Sequence, residues 1–336
     1  MNEFARLATI VAALLCLAPG LQMSHAQDVL PLRYAQTAST WKSIFSLPMR
    51  IADKEGFYAA NGLNFSMFPV EGGAESSLVA LEEDKADVAH VATSFLITAA
   101  LRGSDTVAIL SEFNNPVYSL VAKPWYKSIS ELKGRRIGMA DMSGAVSLAT
   151  MALFEKHGLT QNDLEISVIE GTPGRFQCLM RGDCDAVPLG QPQDFHALRQ
   201  GFRLLGATNE AVPDFVYTVT AARKSWAAAN KQVLVRYVRA MGDSFAFIRD
   251  AKNRSRIAAL MKEWWGSSEE TSFATLDLFF NPEKNVLPFK GEINLKGVEQ
   301  VIRFLKEGGV LNEPIPPAET FVDLRYLQAA WERQEK

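Results

Sequence analysis

The stretch from residue 67 to residue 94 constrains the fold of this chain more than any other. An apolar run ends at Val70, a glycine pair at residues 72–73 permits a sharp turn, helix-forming residues follow from Ser76, and residues 88–92 form a second apolar run. The pattern predicts a strand, a glycine turn, a helix and a second strand. In such a unit the first backbone N–H groups of the helix lack partners and point toward a crevice.

The same alternation runs through two consecutive blocks of the chain. Strand and helix patterns alternate from residue 30 to residue 113 and again from residue 136 to residue 205. A similar apolar segment ends each block, at residues 117–122 and at residues 215–220, and the two segments predict two crossovers between lobes. This organisation predicts an α/β fold with largely parallel sheets.

The crossovers also predict where the lobes begin and end. We expect a first lobe formed by residues 27–120 and 222–336, and a second lobe formed by residues 121–221. From residue 227 onward the patterns are helical, and we expect these C-terminal helices to pack back on the first lobe. The pattern also predicts a polar turn over residues 36–43, a helix over residues 47–58 and a closing helix over residues 321–334.

A faint internal repeat relates the two blocks. Asp87 follows Leu81 by six positions, and Asp185 follows Leu179 by the same interval. A Glu-Gly pair precedes each leucine. A true duplication and the common pattern of α/β units both explain the match, and in either case each block holds a similar strand–turn–helix unit.

The N-terminus has the features of an export signal. An arginine precedes an apolar run over residues 7–17, and small residues follow near residue 26. The pattern predicts a secretory signal peptide over residues 1–26, cleaved after Ala26, and therefore a periplasmic protein. The alternative is an uncleaved anchor, but the run is shorter than the roughly 20 residues that span a bilayer. Cys16 lacks the small preceding residue of a lipoprotein signal.

Charge and cysteine content argue against a nucleic-acid partner and against a bound metal. The net charge of −3 argues against a nucleic-acid partner, which requires a basic face. After cleavage only Cys178 and Cys184 remain, and an oxidising compartment favours a disulfide between them over two buried thiols. Since no histidine or second cysteine pair lies nearby, we expect no metal site and no cofactor.

The sequence lacks the motifs of common catalytic sites, namely a nucleophile elbow, a phosphate-binding loop and a dinucleotide glycine fingerprint. His157 lies at a predicted helix end, where a cation suits the helix dipole. His90 lies inside a predicted strand, where packing or a hydrogen bond explains it, whereas His196 follows a polar turn and could face a cleft. Asp87 and Asp185 are expected to brace turns. The residues therefore favour binding over catalysis.

Two turns, at residues 72–76 and 142–146, open predicted helices in the two lobes. If they face each other, their N–H groups can hold an anion, each helix end contributing about 0.3–1 kcal/mol. Micromolar binding requires about 8 kcal/mol, so aromatic burial and lobe closure must contribute. The aromatic candidates, each with core packing as the alternative, are Trp41, Phe45, Trp125 and Tyr217.

Several segments resemble one known family. They are ADKEGFY at residues 52–58 with NGL at 61–63, LKGRRIG at 132–138 followed by Ser-Gly at 143–144, and VDLRYL at 322–327. In order and spacing they resemble the NMT1-like periplasmic solute-binding proteins of the nitrate, sulfonate, taurine and thiamine-precursor type. The resemblance covers nearly all of the mature chain.

The resemblance implies the type II periplasmic binding protein fold, with two α/β lobes, two hinge strands and a solute between the lobes. It implies an ABC-type permease as partner, and we expect a monomer. The matching ligand positions are Trp41, Gly73, Ala74, Thr93, Ser94, Ser143, Gly144 and Gln191. The turns add Glu75 and Ala145 to the predicted site. Glu75 could either cap its helix or repel an anion.

One departure from the family pattern bears on the ligand. Gln191 stands where many relatives have an acidic residue before proline, which weakens the case for an amino-sulfonate, although Asp194 lies close. The predicted function is the solute-binding component of an ABC-type importer for a small anionic or aromatic solute, without enzymatic activity. The alternatives are a binding protein for a thiamine-precursor pyrimidine, a sensory ligand-binding protein and a pyrimidine-synthesis enzyme.

Overall fold

The computed structural model describes residues 28–281, 284–312 and 314–332. The predicted signal peptide lies outside these residues. The strands are β1 (Leu30–Thr37), β2 (Leu63–Val70), β3 (Val88–Ala92), β4 (Thr106–Phe113), β5 (Ser119–Ala122), β6 (Arg136–Met139), β7 (Glu165–Val168), β8 (Ala186–Leu189), β9 (Arg203–Ala207) and β10 (Thr218–Arg223).

The α-helices follow the order expected from the alternating pattern and then continue into the C-terminal part. They are α1 (Ala38–Trp41), α2 (Leu47–Lys54), α3 (Phe57–Ala60), α4 (Ser76–Glu82), α5 (Thr93–Leu101), α6 (Ala145–Lys156), α7 (Thr172–Arg181), α8 (Gln193–Arg199), α9 (Lys224–Ala229), α10 (Lys231–Arg249), α11 (Arg254–Trp265), α12 (Glu269–Phe279), α13 (Leu295–Glu307) and α14 (Arg325–Trp331). Within the described ranges, no helix combines the length and apolar character needed to cross a membrane.

Both sheets have the same strand order. The first is β2-β1-β3-β10-β4 and the second is β7-β6-β8-β5-β9. In each sheet the first three strands are parallel to one another. The fourth strand, β10 in the first sheet and β5 in the second, comes from the other of the two blocks and is antiparallel to both of its neighbours. The predicted two-lobe α/β fold with two crossovers is therefore confirmed. The lobe borders drawn at residues 120–121 and 221–222 stay a prediction.

The two crossovers run side by side and are hydrogen-bonded to each other. The first spans residues 114–118 and the second spans residues 208–217. The N–H of Tyr118 donates to Thr208 Oγ1 at 3.1 Å, and the Thr208 hydroxyl donates to the Pro116 carbonyl at 2.6 Å. Side-chain hydrogen bonds of this kind tie the two connections into one hinge region between the lobes.

The C-terminal helices pack mainly on the first lobe, as predicted. On α10, the buried residues Val233, Tyr237 and Met241 recur every four positions and so share one face, and this helix packs on α2 and α14. Helix α13 contacts the second crossover so closely that a Cβ at Gly297 would lie 2.2 Å from the Asp214 carbonyl oxygen. A glycine is therefore required where this helix crosses the hinge.

Three local predictions were wrong. The helix predicted over residues 47–58 is divided into α2 and α3, because Gly56 adopts a φ of 78° between them. The turn predicted over residues 36–43 contains the end of β1 and the short α1. The closing helix predicted from residue 321 begins only at α14, because Val322 is extended and forms a bridge to Ala108.

Candidate ligand-binding cleft

A cavity of about 180 Å³ lies between the lobes, where the carboxyl ends of the parallel strands of both sheets meet. Its volume is below the ~300–1,000 Å³ of sites for drug-sized ligands, so it suits a small solute. From the side of the first sheet it is lined by Ser39, Thr40, Gly72, Gly73, Ala74, His90, Ala92, Phe95 and Thr218. From the second lobe and the crossovers it is lined by Tyr118, Ala140, Asp141, Gly144, Ala145, Val146, Glu170, Gly171, Thr172, Arg175 and Tyr217.

Four of the ten predicted ligand-facing residues line this cavity: Gly73, Ala74, Gly144 and Ala145. The amide groups of Gly73 and Ala74 have no acceptor in the described part of the chain, as predicted for the turn of the first lobe. Contact of these residues with a ligand stays a prediction.

The second predicted turn is different, because its amide groups already have an acceptor. The N–H of Ser143 donates to Asp141 Oδ1 at 3.0 Å, and the N–H of Gly144 donates to the same oxygen. Aspartate side chains commonly close turns in this way. The carboxylate lies so near that a Cβ at Gly144 would come within 2.3 Å of Asp141 Oδ2. The expectation of free amides at this turn was therefore wrong.

Two predicted residues lie on the surface or near it. The guanidinium carbon of Arg50 lies 4.4 Å from the Trp41 ring centroid, so Trp41 forms a cation–π contact outside the cavity lining. Glu75 forms an ion pair with Arg102 at 3.5 Å and makes no side-chain capping bond to α4. It therefore neither caps its helix nor lines the cavity.

The remaining predicted residues are buried. Thr93 and Ser94 open α5 with hydroxyl oxygens that have no partner in the described residues. Gln191 donates to Asp194 Oδ2 at 2.8 Å, and the same oxygen accepts from the Ser119 hydroxyl at 2.8 Å. Burial raises the pKa of Asp194. Because Asp194 is engaged inside the second lobe and does not line the cavity, it is not available to a ligand amine there.

Arg175 is the main lining residue that sequence reasoning missed. Two hydrogen bonds to backbone carbonyls fix its side chain: Nε donates to the Pro188 carbonyl at 2.8 Å, and Nη1 donates to the Ile169 carbonyl at 3.1 Å. Nη2 lies 3.3 Å from Thr172 Oγ1, so two of the five N–H donors remain. Arg175 is 2% exposed, and burial lowers the pKa of its guanidinium. The charge has no carboxylate at salt-bridge distance in the described chain.

His90 is the second lining residue that was not assigned to the site. Its Nδ1 pairs with Glu112 Oε2, and Glu112 is completely buried. The sequence signal was present in each case, as a lone arginine inside an otherwise uncharged helix start and a lone histidine inside an apolar strand. Neither pattern shows which surface the side chain faces.

Two tyrosines from the crossovers form the base of the cavity. Tyr118 and Tyr217 have hydroxyl oxygens 3.3 Å apart, and burial raises the pKa of both. Phe45 packs against them, with its ring centroid 5.4 Å from that of Tyr217. Of the aromatic candidates, Tyr217 thus lines the cavity, Phe45 lies in the core beneath it, and Trp125 is 64% exposed elsewhere.

The model of the family described as NMT1/THI5 like matches residues 45–253, which is more than half of the chain. The chain belongs to the NMT1/THI5-like family.

Solved structures share the fold of this NMT1/THI5-like protein at low sequence identity. The alkanesulfonate-binding protein SsuA from Xanthomonas axonopodis pv. citri, bound to MOPS, has a TM-score of 0.69 and 15% identity over 88% of this chain and 99% of its own. The aliphatic sulphonate binding protein SsuA from Escherichia coli has a TM-score of 0.68 and 16% identity over 89% of this chain and 99% of its own. The nitrate-binding protein NrtA from Synechocystis PCC 6803 has a TM-score of 0.70 and 13% identity over 92% of this chain and 90% of its own. No curated protein sequence matches the chain.

The second lobe of this NMT1/THI5-like chain contains a disulfide, and the described residues lack a cluster of metal-ligating side chains. Cys178 and Cys184 are joined by a disulfide that links the end of α7 to the segment before β8. Among residues 28–281, 284–312 and 314–332, no three histidine, cysteine or acidic side chains are grouped so that they could hold a metal ion.

Proposed function

We propose that this protein captures a small organic anion of the sulfonate or carboxylate class between its lobes, as the solute-binding component of an ABC-type importer. The observation that carries the proposal is Arg175, a buried cation in the cavity wall without an ion-pair partner in the described residues. A buried charge is costly unless it is compensated, and an anionic solute would compensate it. The guanidinium presents two N–H donors suited to carboxylate or sulfonate oxygens.

The other walls support a small organic solute over a bare ion. Tyr118 and Tyr217 offer aromatic faces, and the Gly73 and Ala74 amides offer donors on the opposite side. The solved structures of the same fold include two sulfonate-binding proteins, one of them bound to MOPS, and a nitrate-binding protein. Together these features support an anion with a small apolar part.

We further propose the lobe arrangement, cellular location and delivery step expected for this fold. Residues 27–120 and 222–336 form one lobe and residues 121–221 form the other, and the lobes close on the solute about the paired crossovers. The protein is exported by residues 1–26, is monomeric in the periplasm, and delivers its solute to a membrane permease. Uptake of labelled solute by cells that lack this protein tests transport, and unchanged uptake would favour a sensory role.

Calorimetry with the mature protein, unfolded and refolded to remove any co-purified solute, tests the binding proposal. The probes are ethanesulfonate, benzenesulfonate, benzoate and nitrate. Arg175→Gln should weaken binding of the preferred anion by roughly 10- to 100-fold, because hydrogen bonds to charged groups contribute about 1.5–3 kcal/mol. Arg181→Gln is the matched control, since Arg181 lies on the same helix but pairs with Asp183 at the surface.

The outcomes separate the rival functions. Equal affinity of wild type and Arg175→Gln, with both folded by circular dichroism, would rule out Arg175 as the anion site. Preferred binding of a neutral pyrimidine, unaffected by Arg175→Gln, would favour the thiamine-precursor alternative. Conversion of the bound probe, followed by NMR of the solution, would show an enzyme in place of a binding protein.

A further inference from the structure

The buried pair formed by His90 and Glu112 is not explained by the fold alone. Glu112 is the extra residue of a β-bulge in β4, because Thr218 lies opposite Phe113 whereas Val219 lies opposite Ser111. Bulges commonly redirect a side chain next to a functional site. Here the redirected side chain is a carboxylate with no exposed surface.

Three neighbouring strands surround the Glu112 carboxylate with donors. Tyr34 O–H donates to Oε1 at 2.8 Å and the Thr220 hydroxyl donates to the same oxygen at 2.7 Å, while Oε2 pairs with His90 Nδ1. Thr220 lies directly opposite His90 in the sheet and also contacts the Tyr237 hydroxyl at 2.9 Å. Such a shell holds a carboxylate in one orientation and fixes the tautomer of the paired imidazole.

The orientation leaves the second ring nitrogen of His90 available to the cavity. With Nδ1–H bonded to Glu112, Nε2 has no partner in the described part of the chain, and His90 lines the cavity wall. The surrounding tyrosines add no charge, because burial, assisted by Glu112, raises the pKa of Tyr34 and Tyr237 well above the ordinary value. Burial, with Tyr237 and Glu112 adding to it, does the same for Tyr58.

The other charged groups that border the cavity come from the second lobe. Arg175 is the cation, and Asp141 and Glu170 are the carboxylates. Asp141 is engaged by the two amides of its own turn, and the Glu170 carboxylate reaches toward Gly73, with Oε1 3.8 Å from a Cβ built there. Among the described residues, the ionisable side chain that the first-lobe wall contributes to the cavity lining is His90, and it is paired with Glu112.

We propose that His90 is a ligand-contacting residue that holds the anionic group of the solute from the first lobe in its protonated form, with Glu112 as its positioning residue. The inference rests on the anion-binding function proposed above and adds its proton dependence. When His90 is protonated, its charge compensates Glu112 and its Nε2–H is a donor toward the solute. When it is neutral, the buried carboxylate is left uncompensated beside the cleft and opposes a second negative charge.

Anion binding and proton binding are then linked, and each must strengthen the other by the same factor. The solute bridges His90 in one lobe and Arg175 in the other, so that it contacts both cations only when the lobes are closed on it. A strong acid such as benzenesulfonate keeps its own charge across the accessible pH range. Any change in its affinity with pH therefore reports on the protein.

The test is calorimetry of benzenesulfonate from about pH 5.5 to about pH 8.5, the range in which histidine charge changes. Cationic buffers such as bis-tris and Tris are required, because sulfonate buffers would compete for the site. Wild-type affinity should fall roughly 10-fold across this range, and the heat measured in buffers of different ionisation enthalpy should show proton uptake on binding at the upper end.

Variants separate ligand contact from a structural role. His90→Gln keeps a polar side chain but cannot be protonated, so its affinity should be roughly 10-fold weaker at the lowest pH and constant with pH. Glu112→Gln keeps the size of the side chain but removes the charge that favours a protonated His90, so the fall in affinity should move to lower pH. His157→Gln, at the exposed end of α6, should behave as wild type.

A pH dependence that persists in His90→Gln, or wild-type affinity that is constant with pH, would overturn the inference while leaving the Arg175 result intact. Absence of binding by benzenesulfonate and all other anions would overturn both proposals. NMR of the imidazole nitrogens in the free protein is a second readout: a proton fixed on Nδ1 of His90 is expected, and a proton fixed on Nε2 with Nδ1 bare would contradict the role of Glu112.

Discussion

The two lobes have the same backbone plan but different chemistry at the cleft. In the first lobe Arg33 and Asp87 form a clamp between β1 and the start of β3, with Arg33 N donating to Asp87 Oδ2 at 2.8 Å and Nη2 donating to Oδ1 at 2.8 Å. In the second lobe Arg136 and Asp185 form the same clamp between β6 and the start of β8. Arg136 N donates to Asp185 Oδ2 at 3.1 Å, and Nη2 donates to Oδ1 at 3.3 Å. These are the aspartates that the internal repeat aligns.

The cleft residues do not repeat in this way. The first lobe presents a histidine supported by a buried carboxylate, and the second presents an arginine fixed mainly by backbone carbonyls. In each lobe the aspartate of the clamp accepts from the backbone N–H of the arginine as well as from its side chain. A backbone donor at a strand end requires such an acceptor, which accounts for the presence of the clamp in both lobes. The cleft side chains are free of that requirement and differ between the lobes.

Removal of the clamp aspartates should produce the largest effect and test whether the clamps are equivalent. Asp185 also accepts from Lys123 at 2.7 Å, and Lys123 is largely buried, whereas Asp87 has no cation other than Arg33 at salt-bridge distance among the described residues. We expect Asp185→Ala to lower the free energy of unfolding by about 3 kcal/mol and Asp87→Ala by about 2 kcal/mol, because removing one partner leaves charge unpaired. Urea unfolding measures both, and equal losses would show that Lys123 does not distinguish the lobes.

Reduction of the disulfide should affect only the second lobe. Cys178 and Cys184 close a short loop, for which chain entropy predicts a stabilisation of about 2 kcal/mol. Hydrogen exchange followed by mass spectrometry should show faster exchange in α7 and β8 after reduction, with the first lobe unchanged. Faster exchange throughout the chain would mean that the lobes unfold as one unit.

Alanine at the two cleft glycines should separate the two turns. A Cβ at Gly144 would clash with Asp141, whereas a Cβ at Gly73 meets only Glu170 Oε1 at 3.8 Å. We expect Gly144→Ala to weaken benzenesulfonate binding roughly 10-fold, which is about 1.4 kcal/mol, and Gly73→Ala to weaken it less than 3-fold. A larger effect at Gly73 would show that the ligand approaches the backbone of the first-lobe turn.

Acid should weaken the second-lobe clamp slightly. Burial disfavours ionisation of Asp185, but hydrogen bonds from Arg136 and Lys123 outweigh it and lower the pKa of Asp185 to about 2. Since the unfolded value is about 3.9, the stabilisation is complete above about pH 5 and is lost as pH falls toward 2. We expect a loss of about 1 kcal/mol by urea unfolding after allowance for solvent screening. The loss should be absent in Asp185→Asn and retained in Asp183→Asn, a change at the exposed neighbouring acid.

Much of the architecture could be predicted from the residue pattern. The alternation of apolar runs with helix-forming segments indicated two α/β blocks, and the similar segments at residues 117–122 and 215–220 indicated the crossovers. The strands β5 and β10 do begin there, at Ser119 and Thr218. Periodicity was sufficient for these features because burial of one face is a local property of each segment.

The site was predicted less well, and the two turns show why. The sequence predicts that the turn at residues 72–76 and the turn at residues 142–146 are equivalent. The first turn follows β2 and the second follows β6, and these two strands occupy different places in the common strand order. The turn equivalent to residues 71–72 is the second Glu-Gly pair, residues 170–171, which follows β7. Both Glu-Gly turns contribute to the cavity lining, and they face each other across it. Only the strand order reveals which turns correspond.

The sequence by itself determined the fold class, the two crossovers and the equivalent positions of Asp87 and Asp185, since each depends on local pattern and spacing. Tertiary structure alone decided which buried polar groups meet. His90 and Glu112 lie on strands separated by an inserted strand from a third part of the chain, and Arg175 reaches the cavity only through the packing of α7. Periodicity records that a residue is buried, but the partner of a buried charge depends on long-range register, which no local pattern contains.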